Sequence, residues 1–445
     1  MSSLVLIAPS FLTNAALNKL IAQGERLAAA SGTNQPGPKF PSDPSYIPVK
    51  SRPPFPGVGI LAIDVGGTHI RVGLRTAAAD GHVIWQEILE IDNNLLKTQN
   101  SCGKGLDQMA HTLSDQIMGQ LSQRGLTGVK IAGAGVVWSN QIASTRLTGS
   151  DRGIRGVSGV VCGSREGKAY RKGEWWNRDI SDGDNVGEIF IKAFRDGGLN
   201  LRSFVIGNDT VFTCKAIDYA DAGMVASTGA NATIVPAGGQ MLCNSESGGN
   251  FEFSAAEIGL QLVRGQPVLR LEDAIAGKNL PAVYAAHLVR AAEQGVSALS
   301  EVAALIQGSA EFGSDLFSPR DISQLVSGKF QDFIQDRDPA LYPTAVVEAM
   351  RVIAKKHITT AGQLAAAMAY FSIYNQLPER EQFVIALDSS QARFQPGYFE
   401  AMQQTLAALL ELQKRRAIIN LLDPEGEISV PMIGVARAAN DFLWE

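Results

Sequence analysis

The run Val58-Gly59-Ile60-Leu61-Ala62-Ile63-Asp64-Val65-Gly66-Gly67-Thr68-His69-Ile70-Arg71-Val72-Gly73-Leu74 decides how this chain folds. Apolar and β-branched residues dominate on both sides of Gly66-Gly67, and the outgoing side alternates, which predicts two strands joined by a tight hairpin. A Walker loop or a dinucleotide fingerprint leads straight into a helix, and a Walker loop also ends in Gly-Lys-Ser/Thr, a sequence this chain lacks. Hairpin glycines do something else. Without a Cβ they permit positive φ and let backbone N–H groups approach phosphate oxygens. A second turn of the same kind, Ser227-Thr228-Gly229-Ala230-Asn231, follows about 160 residues later between strand-like Met224–Ser227 and Asn231–Val235. Together the two turns predict a paired phosphate clamp.

At 445 residues the chain exceeds what one hydrophobic core usually holds, so two domains are expected, with any cleft between them the natural site. Hydrophobic residues make up 45% and charged residues 19%, which is too apolar for disorder, and no run reaches the ~18 apolar residues of a membrane span. A soluble, cytoplasmic protein is expected. A formal charge of −5 gives no reason to expect nucleic acid or a membrane surface as partner. Cys102, Cys162, Cys214 and Cys243 have no C-x-x-C spacing, and with five histidines they form no zinc pattern. The apolar N-terminus lacks a basic region before it, so it reads as an amphipathic helix capped by Ser10 and reaching about Ala30, with Leu12, Ala16, Leu20 and Leu27 on one face.

From Ser31 to Gly57 prolines, glycines and serines predict an extended connector. A first unit then reads as a meander (Ile60–Asp64, His69–Arg75, His82–Ile91), a helix over Leu106–Leu121 and a strand over Val129–Val137. A second begins with the hairpin around Thr228 and continues with a helix near Ala361–Tyr374, strand Phe383–Leu387, helix Gly397–Lys414, strand Ala417–Leu422 and a helix from Gly434. Between Arg146 and Arg178 lies a glycine-rich basic stretch, read either as a solvated surface loop or as an anion-steering patch.

Ser203-Phe204-Val205-Ile206 ends in Gly207-Asn208-Asp209-Thr210, where a helix begins. Asn and Asp suit a plain N-cap. A carboxylate at a strand end beside a cleft is also a candidate base, because a sugar hydroxyl must lose its proton as its bond to phosphorus forms. Asp64 closes the first turn, where its charge would repel phosphates unless a cation intervenes, so Mg²⁺ is implied, held directly or through water. Arg71 either forks onto a phosphoryl group or makes a surface ion pair. Ser139-Asn140 at the end of a strand suits hydroxyl recognition, or is an ordinary strand-to-loop transition. Glu252, between Phe251 and Phe253, suits a sugar that needs acceptors beside apolar contact, with Glu246 a rival.

With these segments in place, the chain resembles the hexokinase family, within the actin, Hsp70 and sugar-kinase ATPase superfamily, over most of its length. Asp64–Arg71 is similar to the family's first phosphate motif, which brings Gly66, Gly67, Thr68 and His69 to the nucleotide. Asn208-Asp209-Thr210-Val211 resembles its catalytic-aspartate motif, and Thr228-Gly229-Ala230-Asn231-Ala232 its second phosphate motif with Asn231 toward the sugar. Asn250-Phe251-Glu252-Phe253 resembles Asn-x-Glu-Trp, Leu387-Asp388-Ser389-Ser390 its Asp-Gly-Ser segment, and Gly434–Ala439 its adenosine turn. Tyr46-Ile47-Pro48-Val49 looks like the extended segment before the first domain, and Ser139 falls at the Ser-Phe-Pro sugar segment. Trp176-Asn177-Arg178 stands where the family has Trp-Thr-Lys, giving Arg178 the role of the cationic donor, and Ala282 stands where a second sugar-binding glutamate is expected.

The resemblance implies two actin-like, ribonuclease H-like α/β domains with a cleft between them. Their expected spans are 1–57 for an N-terminal helix and connector packing with the large domain, 58–206 for a small domain and 207–445 for a large one. It implies ATP-dependent phosphorylation of a hexose, at the 6-hydroxyl, with Asp209 as base. Asp64, Gly66, Gly67, Thr68, His69, Arg71, Thr228, Gly229, Ser389, Gly434 and Val435 would serve the nucleotide. Ser139, Asn140, Asn177, Arg178, Asn208, Asn231 and Glu252 would serve the sugar. The alternatives are a sugar- or nucleotide-sensing protein on the same fold and a kinase for an amino sugar or other modified sugar.

Overall fold

The computed structural model describes residues 12–30, 43–66, 69–78, 80–92, 105–138, 142–148, 153–161, 164–165, 168–169, 183–235, 241–245, 247–261, 263, 265–335, 337–377, 380–424 and 428–445. By contacts the chain divides into two compact units. One consists of Ser42–Gly223, Gly238–Asn244 and Leu422–Glu445, the other of Met1–Pro41, Met224–Ala237 and Ser245–Leu421. The expected spans 58–206 and 207–445 are contiguous, whereas these units interleave. The physical reason lies in the helix Val430–Leu443, whose buried face is packed on the strands of the first unit.

In that unit, strands β2 (Gly59–Val65), β3 (His69–Ala77) and β4 (Val83–Asp92) form the predicted meander. With β5 (Ile131–Trp138), β6 (Ile142–Thr148), β7 (Arg155–Val161) and β10 (Ser203–Gly207) they make a sheet ordered β4-β3-β2-β5-β10-β7-β6. Strands β2, β5 and β10 run parallel. Every residue of β5 is buried, as expected of a parallel strand covered on both faces. On one face Leu61, Ile63, Val136, Phe204 and Ile206 pack with the helices Gly105–Gln123 and Val186–Asp196 in a single apolar core. The opposite face follows from the two-residue period of a strand: Gly135, between Ala134 and Val136, meets Val435 of the helix Val430–Leu443.

The basic stretch 146–178 contains the end of β6, the whole of β7 and two short strands, β8 (Ser164–Arg165) and β9 (Lys168–Ala169). The connector likewise hides a strand, β1 (Asp43–Pro48), paired antiparallel with β13 (Met241–Asn244). Beyond β1 the chain is tied down by buried polar groups. Lys215 donates to the carbonyls of Pro48 and Lys50 at 2.8 and 2.9 Å and pairs with Asp441 at 2.7 Å. Asp441 and Asn440 in turn accept from the backbone N–H groups of Arg52 and Phe55, each at 2.7 Å. Burial pushes the Lys215 ammonium below its ordinary pKa and the Asp441 carboxyl above its own, the pair's mutual attraction opposing both shifts.

In the other unit, β11 (Ala222–Ala226), β12 (Ala230–Ile234), β16 (Gln382–Asp388) and β17 (Arg416–Leu421) lie in the order β12-β11-β16-β17. A short antiparallel pair, β14 (Glu252–Ser254) and β15 (Val268–Arg270), stands apart. The helix expected near 361–374 is the buried end of a thirty-residue helix, Thr344–Ile373, against which Asn14–Ala30 and Tyr398–Glu411 pack. Thr13 caps the helix Asn14–Ala30: its hydroxyl accepts from the Ala16 N–H at 3.2 Å. Ser10 lies outside the described residues.

Candidate functional site

The predicted pairing on the two sides of Gly66-Gly67 is present. Asp64 faces Arg71 and Val65 faces Ile70 across the hairpin, and the Gly66 N–H donates to the His69 carbonyl at 3.0 Å. A Cβ on Gly66 would stand 2.9 Å from that carbonyl oxygen, so the glycine is required by the closeness of the two strands. Gly67 and Thr68 lie outside the described residues. Half-buried Asp64 accepts from the Ser429 hydroxyl at 3.0 Å, and Ser429 is the residue that opens the helix Val430–Leu443.

Register carries this geometry across the sheet. Glu90, Arg71, Asp64, Val137 and Gly207 stand in one row over β4, β3, β2, β5 and β10. The row lies at the carboxyl ends of the three parallel strands, where ligands bind in sheets of this kind. Two strand spacings, about 10 Å, separate the β2 and β10 positions of the row. Asn208 and Asp209 follow immediately after Gly207.

Asp209 opens the helix Asp209–Lys215. Asn208 is its cap, accepting from the Thr210 N–H at 2.9 Å and the Thr210 hydroxyl at 2.8 Å. Asp209 itself is half-buried and accepts from the same N–H at 2.8 Å. The cap reading of this motif therefore belongs to Asn208, which is buried, while Asp209 keeps partial access to solvent at the strand end.

Several expected residues have other work. Arg71 pairs with Glu90 through Nε at 2.9 Å on the exposed side of the hairpin, with side chains 39% and 37% exposed, so of its two readings the structure shows the surface ion pair. His69 is half-buried opposite Asp92. Gly434 and Val435, expected in a turn beside adenosine, are buried in mid-helix. A Cβ on Gly434 would stand 1.7 Å from the Phe212 carbonyl oxygen, so this glycine lets two helices touch. Ser139, Asn140, Asn177, Arg178 and the rival Glu246 lie outside the described residues.

The second turn belongs to the other unit. Ala226 faces Ala230 and Val225 faces Asn231, the Ser227 N–H donates to the Gly229 carbonyl at 2.9 Å, and exposed Thr228 stands at the tip. The Gly277 N–H donates to the Ser227 carbonyl at 2.6 Å. Asn231 uses its side-chain oxygen on the N–H groups of Ala232 and Ser247, at 2.8 and 3.0 Å. Glu252 is half-buried at the start of β14, and its backbone carbonyl accepts from Gln23 at 2.9 Å. Ala282 is buried in the helix Leu280–Glu293 and presents no acceptor.

Ser389 is fully buried. Its hydroxyl donates to the Ala226 carbonyl at 2.6 Å and accepts from the Ala392 N–H at 3.0 Å, capping the helix Ser390–Phe394. The neighbouring residue is the one presented: Ser390 donates its N–H to the Ser227 hydroxyl at 3.1 Å and lines a pocket of about 780 Å³ together with Thr228, Lys278, Arg320, Gln391 and Phe394. Asp388 and Arg393, 2.8 Å apart, brace the same short helix; burial raises the Asp388 carboxyl pKa and the guanidinium opposes the rise. Sequence reasoning missed Arg320 and Phe394 because the segment around 320 carries no glycine or motif signal, and it stopped one residue short of Ser390.

No protein-family model matches the sequence, and no curated protein matches it. Solved structures do. The hexokinase from Schistosoma mansoni complexed with glucose aligns over 96% of this chain and 96% of its own, with TM-score 0.69 and 17% identity. Another hexokinase aligns over 97% of this chain and 96% of its own, with TM-score 0.69 and 16% identity. The chain thus has the two-domain, actin-like α/β fold of the hexokinases. Among the described residues no helix is long and apolar enough to cross a membrane.

Proposed function

We propose that the protein transfers the γ-phosphoryl group of ATP to a hydroxyl of a hexose, the 6-hydroxyl, with Asp209 as general base. The observation that carries the reading is the row ending at Gly207, which sets Asp64 and Asp209 at the carboxyl ends of two parallel strands with one strand between them, Asp64 in a hairpin of the phosphate type and Asp209 half-buried at the strand end. Such transfer demands little covalent chemistry from a protein; it demands positioning, charge stabilisation and an acceptor for one proton. The Asp209 carboxylate takes the proton of the attacking hydroxyl. Ser139, Asn140, Asn177, Arg178 and Asn208 are the sugar-binding candidates of one unit, and Asn231 and Glu252 those of the other. Gly66, Gly67, Thr68 and His69 are the phosphate-binding candidates of one unit, and Thr228 and Gly229 those of the other. The 780 Å³ pocket beside Thr228 is large enough for a nucleoside.

Magnesium fits the donor set at Asp64. Mg²⁺ usually takes one or two carboxylates and completes its shell with water and substrate phosphates. A half-buried carboxylate held by Ser429 offers that kind of oxygen, and among the described residues no cluster of three His, Cys, Asp or Glu side chains competes for it. When bound, the ion would offset phosphate charge next to Asp64.

A coupled assay for ADP release over a panel of hexoses tests the reading, with Asp209→Asn as the decisive variant. The variant should bind ATP and sugar by calorimetry but lose roughly 100-fold or more of kcat, because the proton acceptor is needed only in the transition state. Turnover near that of the unaltered protein would remove Asp209 from the chemistry. Binding of sugar and ATP with no ADP release by the unaltered protein would replace the kinase with a sensor.

A further inference from the structure

Phe394 is 68% exposed, more than any other large hydrophobic side chain among the described residues. An exposed phenyl ring on its own needs no explanation. This one lines the pocket that also contains Thr228 of the second phosphate turn, and its backbone is fixed. The Ser323 hydroxyl donates to the Phe394 carbonyl at 2.8 Å, and the next residue, Gln395, donates from its side chain to the Pro319 carbonyl at 2.7 Å. At the other end of the same short helix, Ser390 is bonded to Ser227 and Ser389 to Ala226. The helix is thus anchored at both ends, with the turn at its start and the bare ring four residues on, about 6 Å along its axis. Arg320, exposed on the same pocket, forms no ion pair with any described residue.

The geometry points to Phe394 as a stacking platform for the base of the phosphoryl donor, so that donor choice rests on the size of the base's π-face. This rests on the nucleotide reading of the pocket proposed above and adds to it the residue that sets donor selectivity. An exposed ring whose backbone is held, and which lines the same pocket as the second turn, offers a flat apolar face to the base of a ligand bound there. Stacking accepts any base and favours the larger purines, since every base has a π-face. Sugar–phosphate contacts at Thr228 and a free guanidinium at Arg320 suit the anionic remainder of the same ligand.

The test measures binding to the full chain by calorimetry, without sugar, using ATP, GTP, CTP and inorganic tripolyphosphate. Phe394→Ala should weaken ATP and GTP about tenfold or more, the scale of one base–aromatic stack, and CTP less. Tripolyphosphate, which has no base, should bind the variant and the unaltered protein equally, and Phe394→Trp should restore ATP binding. Thermal unfolding of each variant checks that the fold is intact, as expected for an exposed ring. Unchanged ATP affinity in Phe394→Ala overturns the inference, as does an equal loss for tripolyphosphate, or no ATP binding by the unaltered protein. The inference and the kinase reading fail separately: Phe394-dependent ATP binding without sugar phosphorylation sinks only the latter, and sugar phosphorylation indifferent to Phe394 sinks only the former.

Discussion

Replacing Gly434 by alanine sets two effects of opposite sign against each other. In a helix interior alanine is favoured over glycine by about 0.8–1 kcal/mol. Against this, the new Cβ would stand 1.7 Å from the Phe212 carbonyl oxygen and 2.6 Å from its carbon, where ordinary contact begins at 3.4 Å. Both obstructing atoms are backbone, so no side-chain rotation relieves them, and the helix Val430–Leu443 must back away from Asp209–Lys215. Overpacking of a tight core costs about 1–3 kcal/mol, and a backbone clash lies at the upper end. A net loss of about 2 kcal/mol is expected, read as a lower urea midpoint with unchanged slope. Gly119→Ala is the matched control: it also lies inside a helix, its Cβ meets nothing within 4 Å, and it should gain up to about 1 kcal/mol. Phe212 is three residues beyond Asp209, so on the proposed kinase reading ADP release by Gly434→Ala should fall as well. A Gly434→Ala protein as stable as Gly119→Ala would refute the packing argument and return Gly434 to a ligand-bordering role.

Two smaller predictions follow from surface charges. Arg71→Ala removes an exposed pair worth about 0–1 kcal/mol and should leave nucleotide affinity within twofold; a tenfold loss by calorimetry would restore the phosphate-binding reading of Arg71. His111 bridges the helices Gly105–Gln123 and Val186–Asp196, its Nδ1 contacting the Asp107 carbonyl at 2.8 Å and its Nε2 the Asp196 carboxylate at 3.1 Å. These two contacts, the carbonyl more than the carboxylate, raise its pKa above 6.5 against desolvation and the repulsion of Lys192. The charged imidazolium therefore contributes stability in full below pH 6.5, and that contribution is lost as pH rises through the raised folded value. Urea titrations across this window should show a decline that Asp196→Asn weakens; an identical decline in the variant would exclude the bridge as its source.

The elements legible in sequence were those whose pattern is local. Alternation around Gly66 and Thr228 located both hairpins to within a residue or two, and apolar spacing located the helix Gly105–Gln123. Where the sequence misled, a distant partner had decided the matter. Gly434 looks like a ligand-bordering turn until Phe212 is seen against it, and Ser389 looks presented until its hydroxyl is found between Ala226 and Ala392. The Thr344–Ile373 helix was half-read because its first half mixes lysines, a histidine and β-branched residues, and only packing against neighbouring helices reveals that it is continuous. Asp209 could be singled out as a carboxylate at a strand end, but its alignment with Asp64 depends on pairing between strands far apart in the chain, which a single sequence does not display.

The interleaving of the two units constrains how the molecule can be made. A ribosome delivers the N-terminal piece of one unit, then the strands β2 to β10 of the other, then most of what the first still lacks, and only afterwards the helix that roofs Gly135 and steadies Asp64 through Ser429. Until that helix emerges, one side of the nascent sheet lacks its main cover, and the other unit has to collapse while its neighbour in the chain waits unfinished. Neither unit can therefore be excised as a simple stretch of polypeptide, and a fragment ending before residue 430 would expose apolar strand surface to solvent and to chaperones.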